Sequence, residues 1–134
     1  MKHGLFIILL LAFAQCQTDS EFTLTIKNSS YSVDSLKVIV KIDNKVVLRT
    51  IVDNDSIDHS HNSYNFPLTK GEHNIELYFP NAVGKNHIIR DINYPMDKQL
   101  NVIYYYYRIY NEEKQSYREY DSPRFQVFFG EIQY

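Results

Sequence analysis

The chain has 134 residues, 14 Lys and Arg against 16 Asp and Glu, and a formal net charge of −2. That balance excludes the basic footprint of a nucleic-acid-binding protein and the polybasic patch of a protein held on anionic lipid by charge alone. There are 12 tyrosines and 8 phenylalanines, no tryptophan, and one cysteine, so no internal disulfide can form.

The chain opens Met1-Lys2-His3-Gly4 and then runs unbroken and apolar from Leu5 to Ala14. A helix of that length spans about 15 Å, half the roughly 30 Å of a bilayer core. Residues 1–15 therefore read as a secretory signal peptide and not as a membrane-spanning helix. Two processing routes are open. Ala12-Phe13-Ala14 is an A-x-A site that would leave a soluble secreted or periplasmic protein beginning at Gln15. Phe13-Ala14-Gln15-Cys16 resembles a bacterial lipobox, in which the signal is cut just before a cysteine that receives a lipid. Lipoboxes usually carry Gly, Ala or Ser where this chain has Gln15. The lipid reading explains why the one cysteine stands at the end of the apolar run. Cys16 is thus the expected attachment point, with the membrane as partner through a lipid anchor. Each buried methylene contributes about 0.8 kcal/mol, so two or three acyl chains hold where one does not. Residues 16–21 form a polar tether, similar to the short acidic signals of Bacteroidota lipoproteins. The expected localisation is export, with anchoring at the outer membrane on its periplasmic or surface side.

Residues 22–134 read as one domain. Phe22-Thr23-Leu24-Thr25-Ile26-Lys27 alternates apolar and polar, the period of a half-buried strand. Asn28-Ser29-Ser30 is a turn. Leu36, Val38, Val40 and Ile42 share one face, with Lys37 and Lys41 opposite. Asp43-Asn44 turns the chain and Val46 to Val52 completes a hairpin. A polar loop from Asp53 to Ser63 precedes the alternating set Tyr64, Phe66, Leu68. Thr69-Lys70-Gly71-Glu72 is a turn, after which His73, Ile75, Leu77 and Phe79 share a face. Ile88 to Ile92 predicts a short strand closed by Asn93-Tyr94-Pro95. Leu100 to Tyr110 is long and β-rich, Asn111-Glu112-Glu113-Lys114 turns, and Ser116 to Tyr120 pairs back. Pro123 starts a separate last segment carrying Phe125, Val127 and Phe129. Roughly eight or nine short strands with no amphipathic helix predict an all-β protein, a single antiparallel β-sandwich.

A strand, a hairpin around an Asp-Asn turn, and then Leu68-x-x-Gly71-x-His73-x-Ile75-x-Leu77 resemble the small Ig-like or transthyretin-like sandwiches of bacterial lipoproteins. The resemblance implies a fold and carries no catalytic residue with it.

His59 and His61 are weak metal candidates, two histidines at i and i+2 beside Asp53, Asp55 and Asp58. A solvated polar loop has the same composition. The acidic run does not fit an EF-hand, which needs a glycine where Asp58 stands and a glutamate where Tyr64 stands. His73 is expected to bond to backbone at a strand start, and His87 to be a loop or edge residue with nothing to pair it. Tyr104-Tyr105-Tyr106-Tyr107 must alternate, one pair inward and one outward. Tyr105, Tyr107, Tyr110, Tyr117 and Tyr120 form the expected binding surface, since tyrosine gives large contact area at low entropic cost. No G-x-S-x-G, no H-E-x-x-H and no glycine-rich phosphate loop occurs. The chain therefore reads as a non-enzyme with no cofactor: an envelope lipoprotein acting as a binding or structural module for a protein or glycan. The alternative is a protein inhibitor or immunity protein against a toxin or lysozyme in the envelope.

Overall fold

The computed structural model describes residues 21–54 and 61–130. The signal peptide, Cys16 with the tether to residue 20, and His59 lie outside the described residues. Eight strands follow in order: β1 (Glu21–Asn28), β2 (Ser35–Ile42), β3 (Lys45–Asp53), β4 (Asn62–Pro67), β5 (Gly71–Tyr78), β6 (His87–Tyr94), β7 (Gln99–Asn111) and β8 (Ser116–Phe129). They form two four-stranded sheets that pack together, ordered β4-β1-β7-β8 and β3-β2-β5-β6.

Alternation decides which side of each strand is buried. Phe22, Leu24 and Ile26 of β1, Leu36, Val38 and Val40 of β2, and Leu100, Val102 and Tyr104 of β7 all lie in the core between the sheets. A slip of one residue would turn each such row outward, so the register is strongly specified. The β2–β3 hairpin follows from its turn. Asp43 and Asn44 adopt φ of 50° and 66°, the left-handed pair that a two-residue hairpin turn needs and that Asp and Asn tolerate.

Among the described strands all pairs are antiparallel except one. β1 and β7 run parallel, from Thr23 beside Gln99 to Asn28 beside Tyr104. This corrects the purely antiparallel expectation. Pro123 also does not begin a new strand. β8 is continuous, and its pairing with β7 shifts register twice, around Tyr107. Pro123 falls within the first shift, on an edge strand, where its missing N–H interrupts no ladder.

Past the end of β1, polar side chains continue the pairing along β7. Asn28 is buried; its amide donates to the Val33 carbonyl at 2.8 Å and the Val52 carbonyl at 3.4 Å, while its oxygen accepts from the Ser30 N–H at 3.1 Å. The Ser30 hydroxyl donates to the Tyr106 carbonyl at 2.9 Å, and the Tyr31 N–H bonds the same oxygen at 3.0 Å. Tyr104 closes the core at this end. Its hydroxyl accepts from the Val83 N–H at 2.9 Å and donates to the Val83 carbonyl at 3.2 Å, pinning the β5–β6 loop. Burial pushes this phenol's pKa up from 10.0. The same loop needs glycine at 84: φ is 81°, and a Cβ there would meet the Pro123 ring at 3.2 Å.

Replacing Asn28 with alanine strips the buried Val52 carbonyl and the part-buried Val33 carbonyl of this donor. Asn28→Ala should lower stability by about 1–3 kcal/mol, read as a lower urea midpoint with an unchanged slope.

Candidate binding surfaces

β7 is longer than the sandwich. Its last pair with β1 is at Tyr104, yet the strand continues to Asn111. At about 3.3 Å per residue the β7–β8 ribbon runs roughly 20 Å past that point, its first half still flanked by residues 29–32, which bond along β7 as far as Arg108. Glu21, the first described residue, pairs with Pro67 at the opposite end of the same sheet.

The tyrosines divide along this ribbon. Tyr104 and Tyr106 enter the core. Tyr105 and Tyr107 lie on the other face and are half-buried. The Arg124 guanidinium sits 4.7 Å over the Tyr105 ring, and the Tyr105 hydroxyl donates to Gln126 Oε1 at 3.3 Å. Tyr107 packs against Tyr31, ring centres 5.2 Å apart. Tyr110 and Tyr117 are direct cross-strand partners, edge to face at 5.1 Å, with the Arg108 guanidinium 4.4 Å over Tyr117. By strand alternation this pair faces the opposite way from Tyr105 and Tyr107. The side chain of Tyr120 lies outside the described residues. One continuous tyrosine surface is therefore replaced by two, one on each face of the ribbon. The most open rings are Tyr31 at 72% exposure, Tyr117 at 60% and Tyr110 at 49%. Tyr31 was not legible as a member, because it sits in a turn distant in sequence and reaches Tyr107 only through the pairing of residues 29–32 with β7.

His61 is exposed just before β4. Among the described residues no group of three or more His, Cys, Asp or Glu is placed to hold a metal ion.

His73 bonds backbone as expected, and more. Its Nε2 is 2.7 Å from the Thr69 carbonyl and its Nδ1 is 2.6 Å from Asp43 Oδ2. Both partners are acceptors only, so the ring satisfies both when it carries both protons. The Asp43 hydrogen bond, then the Thr69 carbonyl, raise the His73 pKa above 6.5. The His73 hydrogen bond and the Asn74 N–H lower that of Asp43 below 3.8. This bond ties the β2–β3 turn to the start of β5.

His87, expected to lack a partner, has one. Its Nε2 lies 2.7 Å from Glu76 Oε1, whose other oxygen is 3.9 Å from Lys41 Nζ. The β5–β6 register sets Tyr78 beside His87 and Glu76 beside Ile89, which brings His87 diagonally onto Glu76. These groups lie on the outer face of the β3-β2-β5-β6 sheet. A hollow of about 380 Å³ there is lined by Ile39, Lys41, Val46, Arg49, Glu76, Tyr78 and His87.

The chain matches no family model, no curated protein and no solved structure.

The His73–Asp43 pair predicts a pH window. The raised His73 contributes fully below 6.5, and its share is lost as pH rises through its folded value. The lowered Asp43 contributes above 3.8, and its share is lost as pH falls through its folded value. Asp43→Asn keeps a residue that tolerates the positive φ. Its stability deficit should be largest between about pH 4 and 6.5 and shrink as pH rises through the raised value of His73 or falls through the lowered value of Asp43, measured by thermal unfolding across pH.

Proposed function

We propose that this protein is an exported, lipid-tethered β-sandwich of the bacterial envelope that binds a protein or glycan through the tyrosine-bearing β7–β8 ribbon. One observation carries the reading: β1 and β7 are parallel. A tether entering at Glu21 attaches one end of the sandwich, and the same parallel pair sends the ribbon out of the other. An anchor at Cys16 therefore holds the domain with its aromatic projection directed away from the membrane.

The fold type supporting this reading is the transthyretin-like sandwich. An Ig sandwich pairs its first strand with its second. Here β1 pairs with β4 and β7, and β2 with β3 and β5. That order speaks against the Ig-like member of the two resemblances.

The ribbon has the properties of a contact surface. Its rings are large, amphipathic and braced by cross-strand and arginine contacts, so little side-chain freedom remains to be lost on binding. The inhibitor or immunity reading draws on the same element. A two-stranded projection exposed on both faces suits insertion into an enzyme cleft.

Cross-linking of the native protein in its own membranes, read by mass spectrometry, tests both parts. The expected result is a partner captured at the ribbon, and an N-terminus at a lipid-bearing Cys16. Tyr110→Ala/Tyr117→Ala should reduce that capture about tenfold or more while leaving thermal stability near wild type, since both rings are exposed. Equal capture by the double variant would remove the ribbon from the account. A mature chain beginning at unmodified Gln15 would remove the anchor.

A further inference from the structure

We propose that the hollow on the outer face of the β3-β2-β5-β6 sheet binds an acidic sugar, a hexuronate unit whose carboxylate is held by Arg49. The hollow is assembled by strand register. Arg49, Ile39, Tyr78 and His87 stand side by side, one from each strand. Val46, Lys41 and Glu76 form the adjoining row. Val46 and Arg49 are three residues apart, an odd spacing that sends side chains of a regular strand to opposite faces. They share this face because the β2–β3 pairing skips Val47, between Leu48 beside Val40 and Val46 beside Lys41. Such a bulge re-aims side chains and is over-represented next to functional sites. Both re-aimed side chains line the hollow, whose volume is about 380 Å³.

The lining divides into two chemistries. Ile39, Val46 and the Tyr78 ring are apolar, and the His87 ring braces Tyr78 edge-on with centres 6.3 Å apart. Lys41, Glu76 and His87 form a bonded polar group, with Glu76 between the other two at 3.9 Å and 2.7 Å. Arg49 stands apart from that group. It is exposed, and among the described residues it has no ion pair and no hydrogen-bonded side chain. The hollow therefore sets Arg49 and Lys41 against the single carboxylate of Glu76, a surplus of one positive charge before His87 is counted.

These features select the ligand. A planar carboxylate meets the guanidinium fork with two parallel hydrogen bonds, and one such group neutralises the surplus. The rest of the ligand must be apolar on one face and polar around its rim. A pyranose ring is both: its C–H face lies over Ile39 against Tyr78, and its hydroxyls reach the polar group. That group has capacity to spare. A carboxylate offers about four lone-pair sites, of which His87 takes one and Lys41 faces another, and the Lys41 ammonium carries three protons. Hydroxyls donate and accept, so they can use both. A flat apolar acid would satisfy Arg49 and Tyr78 but strip water from Lys41 and Glu76 without replacing it, which costs affinity. A neutral sugar would leave Arg49 unpaired. The hollow lies on the other sheet from the β7–β8 ribbon, so this site uses neither the ribbon tyrosines nor the tether.

Titration of the isotope-labelled chain from Gln17 to Tyr134, which keeps every described strand, tests this by NMR with glucuronate as the probe. Saturable shifts are expected at the amides of Ile39, Arg49, Tyr78 and His87, with a dissociation constant on the order of 1–10 mM for a single ring in an open hollow. Glucose and benzoate should each bind about tenfold more weakly or worse. Arg49→Gln should weaken glucuronate about tenfold or more and leave glucose unchanged. Arg49→Lys keeps the charge without the fork and should recover only part of that loss. Arg49 is exposed, so both variants should keep the wild-type spectrum and melting temperature, which separates a lost contact from a lost fold. Three results would each overturn the proposal: no saturable shift at these amides up to about 50 mM glucuronate, glucose or benzoate binding as tightly as glucuronate, or Arg49→Gln binding like wild type. Tyr110→Ala/Tyr117→Ala should bind glucuronate like wild type, which separates failure of this site from failure of the ribbon.

Discussion

β1 and β7 lie side by side and run the same way, hydrogen-bonded from Thr23 beside Gln99 to Asn28 beside Tyr104. Among the described strands this is the only parallel pair, and it gives the domain a direction. In a purely antiparallel sheet, neighbouring strands begin at opposite ends. Here the first described strand and the longest inner strand start at one end and finish at the other. Everything functional in the account depends on that choice. It separates the point where the preceding chain enters from the point where the tyrosines leave the core.

β7 then has two roles along one length. Up to Tyr106 its inward residues belong to the core, and Tyr104 is fully buried with its hydroxyl satisfied by Val83. Beyond that the opposite sheet no longer covers it, and the same alternation that buried Tyr104 and Tyr106 exposes Tyr110. The transition is held by a short polar hub. Asn28 and Ser30 satisfy the backbone where β1 stops and residues 29–32 take over the edge of β7. A ribbon released from the sandwich without that hub would leave unpaired backbone at the core's rim, which is costly when buried.

Much of this architecture is legible in the sequence, and the limits have physical causes. β1, β2, β5 and the inner part of β7 each bury one face, so their period of two is plain, and the Asp43-Asn44 turn announces its hairpin. The split of the four consecutive tyrosines into inward and outward pairs also follows from alternation alone. The parallel pairing is not legible, because nothing local in β1 marks a partner that begins at Gln99. The division of the ribbon into two faces is hidden for the same reason, since it depends on where β1 ends. Pro123 misleads because proline signals a break only where an N–H is needed, and β8 is an edge strand. His87 appears unpaired because its contact with Glu76 exists only once β5 and β6 are in register.

The direction set by β1 and β7 is directly measurable. Spin labels at Glu21→Cys and Glu113→Cys, with Cys16→Ser removing the native thiol, report the span from the entry point to the ribbon turn by pulsed electron resonance. With both strands running the same way, about 3.3 Å per residue gives a narrow distribution centred near 40–50 Å. A principal distance near 20 Å would mean that the ribbon folds back beside the entry point, and would contradict the two-ended arrangement on which the proposed function rests.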